Sequence, residues 1–140
     1  MPYTRHWLLE ERVIFLQFDE EITLDDISSV TETHEKWLRF SETTNMIHYI
    51  LDLRLVKIYP RNILQIKESL RTKMARTDWV LFVTDDFFLS HLGDVFGKLF
   101  NYRFKQCASV RDAYRLLQNN DEIPIPDNWS DNLDDTMPLR

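Results

Sequence analysis

The sequence is poor in the residue types on which most catalytic and cofactor-binding motifs depend. Its 140 residues include two glycines, Gly93 and Gly97, and one cysteine, Cys107. Two glycines four positions apart cannot supply a glycine-rich phosphate loop or a nucleophile elbow, and no zinc-ligand spacing is present. A single cysteine excludes an internal disulfide framework and is typical of a reducing compartment. We therefore expect a protein that is not an enzyme and that needs no metal or other cofactor.

Long apolar runs are also missing. No run approaches the roughly 20 residues that cross a bilayer, and the first 22 residues lack the basic, apolar and small-residue order of a signal peptide. The composition of 44% hydrophobic and 13% aromatic residues nevertheless indicates a packed core. These features predict a cytoplasmic, single-domain protein without a membrane span.

Charge is distributed unevenly along the chain. The net charge is −6, but residues 54–76 carry seven Lys or Arg and one Glu, whereas residues 121–140 carry six Asp or Glu and one Arg. One basic segment in a near-neutral body argues against a nucleic-acid partner and allows a single anionic contact. The acidic segment has three prolines and no periodicity. We predict a domain over residues 1–120 followed by a flexible acidic tail over 121–140.

Hydrophobic periodicity predicts strands that alternate with helices. The order is β-β-α-β-α-β-α-β-α, which indicates an α/β fold with a mixed, mostly parallel sheet, opened by a β-hairpin, and four helices. The helix opened by Pro60 is expected to face the core with Ile63, Ile66, Leu70 and Met74. The predicted strands are Thr4–Leu9, Val13–Phe18, Met46–Leu53, Trp79–Val83 and Tyr102–Cys107, and the other helices follow Thr23, span Phe87–Phe100 and follow Ser109.

Four stretches in this order resemble a known domain family. They are the opening hairpin, "DEEITLDDI" before the first helix, "YILDLRLVKI" before the second and "CASVRDAYRLL" at the end. Together, over roughly residues 3–119, they resemble the STAS domain of anti-sigma-factor antagonists, and more closely its SpoIIAA-like relatives. The resemblance implies a non-catalytic regulatory module that binds a protein partner.

The phosphorylation site of that family has no counterpart here. In phosphorylatable STAS domains the segment after the Asp-bearing strand reads Asp-Ser-Ser-Gly or similar, and a serine at the helix start accepts phosphate. The matching positions are Tyr59, Pro60, Arg61 and Asn62. We predict that this segment binds negative charge instead of accepting a phosphate, either on a partner or on the acidic tail of the chain. The predicted contact consists of Arg61, Asn62, Lys67 and Arg71.

An alternative interpretation comes from the resemblance of "VIFLQFDEEI", "ILDLRL", "LFVTDD" and "NYRFKQ" to the motifs of two-component receiver domains. It implies Asp52 as a phosphoacceptor. The spacing argues against it, because the 31 residues between Glu20 and Asp52 hold one helix where a receiver needs a further strand and helix. In this receiver-like interpretation, Asp19 and Glu20 would bind Mg²⁺, and Thr84 and Lys105 would bind the phosphate.

The helix over Phe87–Phe100 has apolar residues on more than one side. Gly93 and Gly97 form a smooth face that suits close helix packing, either inside the subunit or against a partner. The excess of phenylalanine predicts an interface through Phe96, Gly97 and Phe100, with a partner protein or with a second copy in a homodimer. The alternative is an apolar pocket, which would make the protein a carrier of a small apolar ligand. His34 and His48 are interpreted as residues at the core edge or the surface.

Overall fold

The computed structural model describes residues 3–9, 11–41, 45–70 and 75–120, and it confirms the predicted order of strands and helices. The predicted acidic tail lies outside these residues. None of the described helices combines the length and the apolarity needed to cross a membrane. The elements are β1 (Tyr3–Leu9), β2 (Val13–Phe18), α1 (Leu24–Phe40), β3 (Ile47–Asp52), α2 (Ile63–Ser69), β4 (Thr77–Val83), α3 (Phe87–Phe100), β5 (Arg103–Cys107) and α4 (Val110–Gln118).

The five strands form one sheet in the order β1-β2-β3-β4-β5. β1 pairs antiparallel with β2, and the later strands pair in parallel. All six residues of β2 are buried, as its continuous apolar run predicts for a strand inside a sheet. Each crossover from β2 to β5 moves one strand in the same direction. Because such crossovers are right-handed, α1, α2 and α3 lie on one face of the sheet.

Alternation along the strands divides the core between the two faces. Ile14, Tyr49 and Val80 belong to the core cluster on the side of α1, α2 and α3. Among the described helices, α4 packs on the opposite face, through Val110, Ala113, Tyr114 and Leu117. The strand residues of this second cluster are Val13, Phe15, Ile50, Leu81, Val83 and Cys107.

Side-chain caps fix the starts of three helices as the sequence predicts. The Thr23 hydroxyl accepts the Asp26 N–H at 3.1 Å, and the Asp26 carboxylate accepts the Thr23 N–H at 2.8 Å. This reciprocal pair is a capping box. Asp86 caps α3 through the N–H groups of Phe88 and Leu89, and Ser109 caps α4.

The prediction for the second helix was wrong at both ends. α2 begins at Ile63, after Asn62 as the N-cap, so Pro60 precedes the helix and does not form its first turn. The Asn62 side chain accepts the Gln65 N–H at 3.1 Å and so defines a later start. α2 ends at Ser69, and only Ile66 is buried along it. Ile63 is exposed, Leu70 is half-buried beyond the helix, and Met74 lies outside the described residues.

The predicted interface on α3 also needs correction. Phe96 is 5% exposed and belongs to the core cluster, Gly97 is buried against β5, and Phe100 is half-buried. Phe96 and Gly97 therefore contact the subunit itself and present no surface to a partner. The exposed apolar side chains of α3 are Phe87 and Leu99.

The two glycines let α3 approach β5 closely. A Cβ atom at Gly93 would overlap the ring of Phe104, whereas one at Gly97 would lie 3.1 Å from the Tyr102 carbonyl oxygen. We expect Gly93→Ala to lower the free energy of unfolding by about 1–2 kcal/mol, because displacement of the ring outweighs the gain in helix propensity. Gly97→Ala is the matched control, and it should lower the free energy of unfolding by less than Gly93→Ala does. Urea denaturation measures both, and an equal or larger loss for Gly97→Ala would contradict this account of the packing.

Candidate interaction site on the β3–α2 segment

The segment from Leu53 to Asn62 is held in place by the connection between β2 and α1. Glu21 and Ile58 form a parallel bridge, and the Ile58 carbonyl accepts the Ile22 N–H at 2.9 Å. The Lys57 N–H donates to the Glu20 carbonyl at 2.7 Å. These backbone bonds keep the chain extended up to Ile58, which explains why no helix forms near Pro60.

Asp52, at the end of β3, is enclosed by hydrogen-bond donors. The Arg54 guanidinium reaches both of its oxygens, Nε at 2.8 Å and Nη2 at 2.6 Å, and the Gln17 amide donates at 3.0 Å. Asp52 is 1% exposed. The charge of this buried carboxylate is balanced by the bidentate Arg54 guanidinium. This arrangement agrees with a structural role for Asp52.

The residues of the alternative phosphoacceptor interpretation are not arranged around a metal site. No group of three or more His, Cys, Asp or Glu side chains in the described ranges could hold a metal ion. The Thr84 hydroxyl accepts the Asp86 N–H at 3.0 Å, and Lys105 is exposed on β5. Phosphorylation of Asp52 is untested and stays a prediction.

Tyr59 links the segment to the start of α3. Its hydroxyl donates to the Asp86 carboxylate, 3.0 Å from each oxygen, and its ring stacks on Phe88. Arg61 covers this pair, with Cζ 4.8 Å from the Tyr59 ring centre and 5.3 Å from that of Phe88. Partial burial acts to raise the pKa of Asp86, but hydrogen bonds from Leu89, Tyr59 and Phe88, together with the Arg61 charge, hold that pKa below its usual value.

The anionic contact stays a prediction, and the structure describes three of its four residues. Arg61 and Lys67 are exposed, at the entry to α2 and in its last turn. Asn62 is exposed too, but its side-chain oxygen is engaged as the helix cap. Arg71 lies outside the described residues. Two of the predicted cations are thus exposed near one another in the chain, and exposed Lys57 precedes them. Lys57 and Leu55 line a surface pocket together with acidic residues, among them Glu20 and Glu21.

Sequence reasoning missed the apolar part of this surface. Ile58 and Leu64 are 61% and 62% exposed, and Leu55 and Ile63 are also exposed. Of these four residues only Ile63 was predicted to face the core, and its exposure shows that this part of α2 does not lie against the sheet. We call this set the α2 surface: Leu55, Lys57, Ile58, Arg61, Ile63, Leu64 and Lys67.

The two histidines that were interpreted as surface or core-edge residues are both buried. The His34 Nε2–H donates to the Ala75 carbonyl at 2.7 Å, so Nδ1 accepts from the Tyr49 hydroxyl. His48 Nδ1 accepts the Trp79 N–H at 3.3 Å. Burial lowers the pKa of His34, and it lowers the pKa of His48 to about 4. Both rings are therefore neutral structural acceptors at physiological pH.

The element order and the sheet order together define a SpoIIAA-like α/β fold. The solved structures include an uncharacterised DUF3478-family protein from Shewanella loihica PV-4 that has this fold. It matches with a TM-score of 0.59 and 15% identity, over 82% of this chain and 91% of its own. This likeness shows the fold alone. No family model matches the chain, and no curated protein matches it.

Proposed function

We propose that this protein is a non-catalytic interaction module that binds an acidic protein segment through the α2 surface. The observation that carries the proposal is the exposure of four large apolar side chains and three cations within the single stretch of residues 55–67. An apolar patch with a charged rim is typical of protein interfaces. The apolar side chains supply the area for burial, and the cations select a partner of opposite charge.

The chemistry of the segment supports binding over modification. The positions where related domains carry a phosphoacceptor serine hold Tyr59 to Asn62, and the Tyr59 hydroxyl is engaged by Asp86. The Arg61 charge lies over two aromatic rings, which hold the guanidinium in one position at the surface. A partner that brings a carboxylate to Arg61 would meet a cation that needs little reordering.

A photo-crosslinking amino acid at position 64 tests this assignment directly. Leu64 lies in the middle of the α2 surface, whereas Arg115 is exposed on α4, on the opposite face of the sheet. We expect a probe at position 64 to form adducts in cells with an acidic segment of one protein, identified by mass spectrometry. A probe at position 115 should not form them. The double variant Arg61→Glu/Lys67→Glu should reduce the adduct at least about tenfold, because each like-charge contact opposes docking.

Two results would contradict the proposal. One is an adduct that forms equally from positions 64 and 115, since equal adducts would show non-specific crosslinking with no binding site at the α2 surface. The other is flotation of the protein with vesicles of anionic phospholipid that is lost in the same double variant while no protein adduct forms. That outcome would assign the α2 surface to a membrane surface instead of a protein.

A further inference from the structure

A cavity of about 160 Å³ lies between the sheet and the three helices α1, α2 and α3. Its floor includes Leu16, Leu51 and Phe82, which are aligned across β2, β3 and β4 in the register of the parallel sheet. Ile66 of α2 and Leu92 of α3 contribute to its walls. The cavity is thus built almost entirely of aliphatic and aromatic side chains.

The cavity exists because α2 is too short to fill the space over the middle of the sheet. α2 has seven residues, and only Ile66 is buried along it. Leu51 belongs to the central strand, yet it is only partly buried, whereas its neighbour Ile50 on the α4 face is fully buried. Phe82, beside Leu51, is also partly buried. The face covered by α1, α2 and α3 is therefore less completely packed than the face covered by α4.

One residue of the cavity lining, Thr77, has a buried hydroxyl without a partner in the described part of the chain. β4 contains one extra residue between the pairs Ile47–Thr77 and Tyr49–Val80, and this bulge brings Thr77 to the same side of the sheet as Val80. The Thr77 hydroxyl is buried and has no hydrogen-bond partner among the described residues. The other polar side chains of the lining are all bonded: Thr31 to Ser28, Tyr49 to His34, Tyr59 to Asp86 and Tyr102 to Gly93.

We propose that the cavity binds a small apolar molecule, about the size of one aromatic ring, with one hydroxyl or carbonyl group that bonds to Thr77. An engineered apolar cavity of about 150 Å³ accepts benzene, which sets the size. A buried hydroxyl without a partner costs free energy, and a polar group on the ligand removes that cost. Water is a poor occupant, because a buried water needs two or more polar partners and Thr77 supplies one. This site is separate from the α2 surface.

Phenol and benzene test both parts of the proposal, because they share a ring and differ by one hydroxyl. We expect the protein to bind both molecules by calorimetry and by shifts of the cavity methyl signals in NMR, and to prefer phenol by about two- to tenfold. Thr77→Val should remove this preference and leave benzene binding unchanged. Leu51→Trp, or the smaller change Leu51→Phe, should weaken the binding of both by filling the cavity. The exposed variant Leu64→Ala should bind both like the wild type.

The folded state of each variant is checked by its melting temperature. Thr77→Val should melt a few degrees higher than the wild type without ligand, because it removes a buried hydroxyl that lacks a partner. The proposal is overturned if the wild type binds neither molecule, or if folded Leu51→Phe and Leu51→Trp bind both as well as the wild type. A phenol preference that persists in Thr77→Val overturns the assignment of the hydrogen bond.

Discussion

Lowering the pH from 7 to 5 should reduce the free energy of unfolding by about 2 kcal/mol through His48 alone, given its folded-state pKa of about 4 and an unfolded value near 6.5. Burial is the main cause of the lowered value; Asp78 acts to raise it, while Arg103 and Arg12 act to lower it. Between the two pKa values the unfolded chain binds a proton that the folded ring does not. The stabilisation is therefore complete above pH 6.5 and is lost as the pH falls towards 4. His34, whose pKa is lowered in the same direction, should add to the effect.

Urea denaturation at half-unit steps between pH 7.5 and 4.5 measures this dependence. His48→Gln is the matched variant, since its side-chain oxygen can accept the Trp79 N–H in place of the ring. The variant should lose most of the pH dependence assigned to His48. An unchanged slope in His48→Gln would show that His48 binds a proton as readily in the folded protein as in the unfolded chain, contrary to the effect of its burial.

Truncation of Tyr114 should have the largest effect of any substitution considered, about 3–5 kcal/mol of unfolding free energy for Tyr114→Ala. Tyr114 is fully buried in the middle of α4, and α4 is the helix that covers the second face of the sheet. No other described helix joins that core cluster, so the cavity left by the ring cannot be closed by a neighbouring helix. Urea denaturation gives the loss from the shift in midpoint at constant slope.

Two controls separate the packing of the ring from other effects. Tyr114→Phe keeps the ring and removes the hydroxyl, and it should cost about 1 kcal/mol. Leu64→Ala, on the exposed side of α2, should change stability by less than about 0.5 kcal/mol. A loss below about 1 kcal/mol for Tyr114→Ala would show that α4 contributes little to the fold.

The sequence predicts the framework of this fold well where a local signal and the tertiary structure agree. The apolar run of β2 marks a strand inside the sheet, and the side chains of Thr23, Asp86 and Ser109 mark helix starts that depend on neighbouring N–H groups alone. Such signals act within a few residues. They are therefore readable without knowledge of the packing.

The proposed interaction surface could not be predicted to the same extent, because its character depends on what the fold leaves uncovered. Ile63 and Leu70 have the spacing of a buried helix face, but α2 ends before Leu70 and leaves Ile63 exposed. Gly97 was predicted to belong to an interface with a partner, but it packs against β5 within the subunit. Thr77 lies on the cavity side of the sheet through a bulge that depends on the pairing of β3 with β4. Each of these outcomes is decided by distant contacts.

The sheet order has a consequence for self-association. Because neighbours in sequence are neighbours in the sheet, β1 and β5 are its two edges, where unpaired backbone groups invite strand addition and aggregation. β5 carries Arg103 and exposed Lys105, and β1 carries Arg5 and exposed His6. Arg103 is ion-paired with Asp78, but the exposed charge of Lys105 opposes the pairing of two β5 edges.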